Sequence, residues 1–387
     1  MRIDLNINPS NEKNSYRLEA ILPTIQYLLH SGASINILSH RGRPRPNAKR
    51  FSPRPNAKRF RPEETWANPK GFSQLSLKPF AKILSKKLKT PVAFSPSLEP
   101  RKKKEKITLF ENLRFDPREE TNDENFAKNL ASLGDIYVNE AFAVSHRENA
   151  SVSAITKFLP SFGGLLFERE IASLNHVMNN FRPPLTLILG GIKIKDKSGV
   201  IKYFKEKANS VLLGGGLANT FLKARGDDVK NSIVDEVANI RDYLLYDNII
   251  LPEDVIFHQN KILDIGPKTI NKFEKIILNS NTVIWNGPMG LFEDKRFRKG
   301  TDAVWQAIQK LAEANPNSFS LIGGGETTSF LRNAQNYAEK NAESRKKFSV
   351  SQREFSVNPR IFISTGGGAM LDYLSGKTLP GIEVLKN

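Results

Sequence analysis

Cysteine is absent from the 387-residue chain, which excludes disulfides, thiolate zinc sites and a cysteine nucleophile. Histidine is scarce, and His30, His40, His146, His176 and His258 show no metal-ligand spacing such as His-Glu-x-x-His. No Ser-His-Asp order stands out either. No apolar run approaches the roughly 18 residues that a membrane helix requires. The opening Met-Arg-Ile-Asp-Leu-Asn has no basic stretch followed by an apolar one, so no export leader is read there. Absence of cysteine suits a reducing compartment, and the expectation is a soluble, cytoplasmic chain with no membrane partner. What remains after these exclusions is chemistry by positioning, without a nucleophile and its base.

Acid is also in deficit, with 40 acidic residues against 58 basic ones and a net charge of +18. Such a balance raises the question of nucleic acid. The excess is concentrated: residues 41–61, 101–106 and 345–360 contribute +9, +4 and +4, all but one of the +18. These segments are rich in Pro, Asn and Ser and read as loops rather than as a folded binding face. The first holds a tandem duplication, PRPNAKRF at Pro44–Phe51 and again at Pro53–Phe60, and Phe-Ser-Val recurs at Phe348 and Phe355. Two copies build no solenoid. They are read as loop insertions, with a nucleic-acid arm as the minority alternative.

With 39% hydrophobic residues the chain can bury a sizeable core, and its length suits two α/β domains of about 150–200 residues each. Short β-branched runs alternate with helical patterns, the signature of parallel sheets. The runs are Ile35–Ser39, Ile107–Glu111, Ile136–Asn139, Leu185–Leu189, Ser210–Leu213, Thr282–Trp285, Phe319–Ile322 and Arg360–Ser364. Nearly every one leads straight into a polar or glycine-rich motif. In open α/β sheets ligands sit at the carboxyl ends of the strands, so this placement predicts a binding surface. Between the halves, Phe167, Ile171, Leu174 and Met178 trace one face of a long helix over 165–180.

The motifs differ by half. Before residue 150 they are basic: Ser39-His40-Arg41-Gly42-Arg43, then Glu111-Asn112-Leu113-Arg114, then His146-Arg147. Guanidinium forks suit carboxylate and phosphate oxygens bidentately, so three such places point to an anion pocket. A single one would be an ordinary surface arginine. After residue 190 the motifs are glycine-rich: Gly190-Gly191 leading to Lys193 and Lys197, Gly214-Gly215-Gly216, Gly323-Gly324-Gly325-Glu326-Thr327 and Gly366-Gly367-Gly368. The first is not the Walker spacing. Backbone amides and a helix N-terminus there are expected to cradle phosphate, with the lysines as mobile point charges. Asn286-Gly287-Pro288 through Glu293 adds a rigid loop with a carboxylate suited to ribose hydroxyls.

Taken in order, these motifs resemble the phosphoglycerate kinase family from Arg2–Asn6 through YRLEAILPTI, SHRGRP, ENLRF, YVNEAF, HRENAS, GGIKIKDK, GGGLANTFLK, DIGPKT, WNGPMGLFE and STGGGA to Leu379-Pro380-Gly381. The resemblance implies two doubly wound, Rossmann-like parallel-sheet domains, 1–164 and 185–372, joined by a helix and hinge at 165–184, with a tail at 373–387 returning to the first. It implies a monomer catalysing reversible, Mg²⁺-dependent transfer between 1,3-bisphosphoglycerate and ADP, giving 3-phosphoglycerate and ATP, with hinge closure excluding water. Asp4, Asn6, Arg17, His40, Arg43, Arg114 and Arg147 are then expected to hold 3-phosphoglycerate. Gly191, Lys193, Lys197, Gly215, Gly216, Asn286, Pro288, Glu293, Gly324, Gly325 and Thr327 are expected to serve the nucleotide, and Glu326 the metal. Arg17, Lys193, Lys197, Gly367 and Gly368 are expected to serve the transferring phosphoryl.

Four departures from the family stand out. The chain begins almost inside its first strand, so that strand is expected to be short. The stretch 251–266 is abbreviated, which puts a peripheral hairpin in question but not the site. The duplicated insert begins right after Arg43. The usual Gly-Gly-Gly-Asp reads Gly-Gly-Gly-Glu, moving the metal carboxylate out by one methylene. The rival readings are a catalytically degenerate nucleotide-binding homologue and a nucleic-acid-binding protein using its basic inserts.

Overall fold

The computed structural model describes residues 1–10, 15–44, 73–98, 105–235, 240–331 and 359–386. The duplicated octapeptides beyond Pro44 and the Phe-Ser-Val recurrences lie outside the described residues. The chain divides into two compact units, Met1–Arg169 with Thr378–Asn387, and Glu170–Lys377.

In the first unit, α1 (Tyr16–His30) starts where the Ser15 hydroxyl accepts from Leu18 N, satisfying one of the free amides of its first turn. Leu18, Ile21, Leu22 and Ile25 then fall on one stripe, and all are buried against Ile3, Leu5, Ile37 and Leu109. Each such side chain contributes about 1.5–3 kcal/mol of burial. Strands β1 (Ile35–Ile37), β2 (Val92–Ser95) and β3 (Ile107–Phe110) pair in the order β1-β3-β2, all parallel. β3 is buried at every position, as expected of a central strand covered on both faces. After α2 (Lys78–Leu88) and α3 (Glu124–Ala131), β4 (Tyr137–Asn139) and β5 (Ser161–Gly163) form a second parallel pair. The opening residues join the two, since Arg2 bridges Leu38 on one side and Asn139 on the other. The first strand is thus as short as its sequence suggests. The tail belongs to this unit: Leu379 and Ile382 are buried, and Gly381 N donates to Ser145 O.

α4 (Leu165–Asn179) contains the point of division. The second unit is built on a six-stranded parallel sheet ordered β13-β12-β11-β6-β7-β8. Its strands are β6 (Leu185–Leu189), β7 (Ser210–Leu213), β8 (Ile249–Ile250), β11 (Thr282–Asn286), β12 (Phe319–Gly323) and β13 (Ile361–Ile363). The chain starts in the middle at β6, winds outward through β7 and β8, and returns on the other side at β11. The order therefore reverses between β6 and β11, and a ligand crevice opens at such a switch point. Helices α5 (Ser198–Phe204), α6 (Gly215–Arg225), α7 (Ile240–Tyr243), α8 (Pro267–Leu278) and α9 (Lys299–Ala314) intervene.

The abbreviated stretch still forms its hairpin. β9 (Val255–His258) and β10 (Lys261–Ile265) pair antiparallel around Gln259 and Asn260, whose φ values of 48° and 57° are those of a two-residue turn matched to strand twist.

Candidate functional site

In the first unit, strand alternation aims Asp4 to the opposite side from the core residues Ile3 and Leu5. Asp4 accepts from Arg17 at 3.1 Å and lies 3.8 Å from His40 Nε2. Burial alone would raise its pKa, but Arg17 and His40 overcome that and hold it below its ordinary value. Asn6 Oδ1 accepts from Gly42 N, and Arg114 donates to Gly42 O, so the turn carrying Arg43 is held from two sides. The Glu120 carboxylate lies 3.3 Å from Arg43 Nε and 3.5 Å from Arg114 Nε. Arg114 is pushed down to about 10, first by burial and then by Arg2 and Arg147. Arg147 is lowered by burial and by Arg43. Guanidiniums that depress one another mark a place short of negative charge, the condition for binding a polyanion. All seven residues expected to hold an anion meet here.

In the second unit, the turns after β6, β7 and β11 are sewn together by backbone. Gly191 N donates to Pro288 O, Gly215 N to Met289 O, and Leu217 N to Gly191 O. A Cβ on Gly190 would lie 2.0 Å from Pro288 O, so only glycine allows the turns to close on one another. The first two clusters are expected to turn amides toward phosphate, and two of those amides are engaged otherwise. The amides of Gly191 and Gly215 are spent on this stitching, and their glycines serve close approach.

The result is the floor of an open groove lined by Gly191, Gly215, Gly216, Pro288, Glu293 and Glu326. Its walls include Ile192, Ile233, Met289 and Leu291, and also Val255, Ile262 and Ile265 of the hairpin that the sequence placed away from the site. A Cβ on Gly191 would lie 3.0 Å from Glu326 Oε2 and 3.5 Å from Lys197 Nζ. Lys197 is buried; burial lowers its pKa, opposed by Glu326 and Asp196, while Lys193 nearby is exposed.

The remaining residues are placed differently. Thr327 is fully buried and its hydroxyl accepts from Gly287 N, which makes it a support for the β11 turn. Asn286 is buried beneath Gly324, and its Nδ2 has no hydrogen-bond partner. A Cβ on Gly325 would meet open space. Gly367 and Gly368 head the helix Gly368–Leu374 and do not line the groove. The turn before them is held by the buried Glu170, which accepts from Ser364 Oγ, Thr365 N and Thr365 Oγ1.

Two residues had no role in the sequence reading. Arg2 is buried behind His40, a position that its two-residue spacing from Asp4 signals. Asp264 on the groove wall accepts from Gly300 N and Ile265 N, a backbone-directed role with no sequence signature.

The Phosphoglycerate kinase family model matches residues 1–377. The chain belongs to the phosphoglycerate kinase family. The phosphoglycerate kinase of Thermomicrobium roseum is 34% identical over 422 residues, covering all of this chain and 95% of that protein. That of Chloroflexus aggregans is 36% identical over 428 residues with the same coverage. Among solved structures, the phosphoglycerate kinases of Coxiella burnetii and Pyrococcus horikoshii superpose with TM-scores of 0.72 and 0.77 at 30% and 27% identity, each over all of this chain and 95% of the other. The chain is thus an α/β phosphoglycerate kinase, a phosphotransferase with a carboxyl group as acceptor. Among the described residues no helix is long and apolar enough to cross a membrane.

Proposed function

We propose that the arginine cluster of the first unit holds 3-phosphoglycerate or 1,3-bisphosphoglycerate, and that the groove of the second seats ADP or ATP. The observation that carries this reading is the meeting of Lys197 and Glu326 at the Gly191 turn, a buried cation beside a carboxylate that lines the groove. In the forward direction the β-phosphate oxygen of ADP attacks the acyl phosphorus in line. The bond from phosphorus to the carboxyl oxygen breaks, leaving a carboxylate. Arg17 orients the acyl phosphate, Arg114 and Arg147 hold the rest of the anion, and the Lys197 ammonium follows the charge that develops on the moving phosphoryl. Glu293 serves the ribose hydroxyls, and the unpartnered amide of Asn286 serves nucleotide oxygens.

The donor set fits Mg²⁺. Among the described residues no group of three or more His, Cys, Asp or Glu could hold a metal, and Mg²⁺ needs only one or two carboxylates beside substrate phosphates. Glu326 would hold it, and when bound it neutralises phosphate charge. Concentration of the net charge in three short segments argues against a nucleic-acid partner, and a cytoplasmic monomer suits the reading.

Arg114→Met tests the assignment of the first unit. We expect KM for 3-phosphoglycerate to rise about 100-fold, as for loss of a charge-assisted contact, while KM for ATP holds. Equal rises in both would contradict it.

A further inference from the structure

Arg2 is buried, and each of its three guanidinium nitrogens is engaged within the protein. Its Nε donates to Ser151 Oγ at 2.8 Å, one terminal nitrogen donates to Ile3 O, and the other lies 3.0 Å from His40 Nδ1. Glu119, itself fully buried, stands 3.9 Å away and accepts from Ser151 N and Ser151 Oγ. The placement follows from register: Arg2 bridges Leu38 in parallel, and two residues further on each strand Asp4 comes alongside His40.

The chemistry of the two neighbours decides the state of the ring. A guanidinium can only donate, so Nδ1 must offer its lone pair. The Asp4 carboxylate lies 3.8 Å from Nε2, outside hydrogen-bond reach, and its charge favours the hydrogen on that nitrogen. Both sides select one tautomer. The charged groups around the ring are Asp4 and Arg2 from the opening strand, Arg17 from α1 and Arg114 from the turn after β3. Burial and the three guanidiniums outweigh the one carboxylate and hold the imidazole neutral.

We propose that Arg2 is a positioning residue which fixes His40 as a neutral Nε2–H donor aimed at the substrate site, with Glu119 and Ser151 fixing Arg2 in turn. His40 then orients a substrate oxygen by a directed hydrogen bond, and the charge comes from the arginines. The kinetic part rests on the proposed assignment of this site to 3-phosphoglycerate; the tautomer does not.

The test is nitrogen-15 NMR of the full chain with labelled histidine, His40 being assigned by the signal lost in His40→Gln. The parent should show His40 as a single neutral Nε2–H tautomer between about pH 6 and 8. Arg2→Met should give mixed tautomers or a ring titrating near its usual value of about 6.5. It should also raise KM for 3-phosphoglycerate about tenfold with little change in kcat, and Arg2→Lys should restore part of the loss. If Arg2→Met does not fold, the parent spectrum and Ser151→Ala, which frees Arg2 Nε, decide. A parent His40 protonated at Nδ1, or an Arg2→Met protein with the parent tautomer and KM, overturns the proposal. The expected tautomer in a chain without turnover supports the positioning and counts against the functional assignment instead.

Discussion

Glu326 is where one methylene carries the most consequence. Its carboxylate reaches the Gly191 turn beside the buried Lys197 ammonium. The longer side chain must retract or bind through water, which strict octahedral geometry tolerates poorly and Mn²⁺ tolerates better. We predict that Glu326→Asp stays active and that Glu326→Gln needs about 10–100-fold more Mg²⁺ for half-maximal rate, the range seen when groups supporting a bound metal are removed. Titration of rate against Mg²⁺ and Mn²⁺ in the three proteins checks this. A parent-like Glu326→Gln would remove Glu326 from the metal site.

Among elements, α4 and β10 are held by buried carboxylates. Glu140 accepts from Leu166 N and Phe167 N at the start of α4, and Glu170 within α4 binds the turn before the Gly366–Gly368 cluster. Glu170→Ala leaves buried donors on Ser364 and Thr365 unpaired, so the second unit should lose about 3 kcal/mol or more, read from its urea midpoint. Asp264 carries a pH signature. Burial lifts its pKa from 3.8 to about 6, so the native state holds this proton over a range where the unfolded chain has released it. Its contribution is complete below about pH 4 and is lost as pH rises through about 6, a change of at most about 3 kcal/mol. Paired carboxylates such as Asp294 slope the opposite way, so the difference between parent and Asp264→Asn is the quantity to measure. It should flatten above about pH 6; a difference independent of pH would contradict the assignment.

The same scale shows what sequence reveals. Eight strand runs and the helix over 165–180 were legible because β-branched runs and a 3.6-residue stripe are local signals. Val92–Ser95, Ser161–Gly163 and Ile249–Ile250 were not: the first holds a single β-branched residue, and the other two are two or three residues long and defined by their neighbours. The glycine clusters were legible as turns, but whether their amides face a ligand or another turn depends on the crossing of β6, β7 and β11. Arg2 was missed because its side-chain partners His40 and Ser151 lie 38 and 149 residues away.

At the scale of the whole molecule, the account holds that two chemically distinct places, an arginine cluster in one unit and a glycine-floored groove in the other, serve one phosphoryl transfer. Lys197 is the group whose charge should matter most in the transition state. A coupled assay supplying ATP, Mg²⁺ and 3-phosphoglycerate to the parent and to Lys197→Ala tests this most directly. The account predicts turnover that requires both substrates, and a variant whose kcat falls by about 10²–10³-fold while nucleotide still binds. A parent that binds ATP yet transfers nothing, or a Lys197→Ala variant with unchanged kcat, would contradict it.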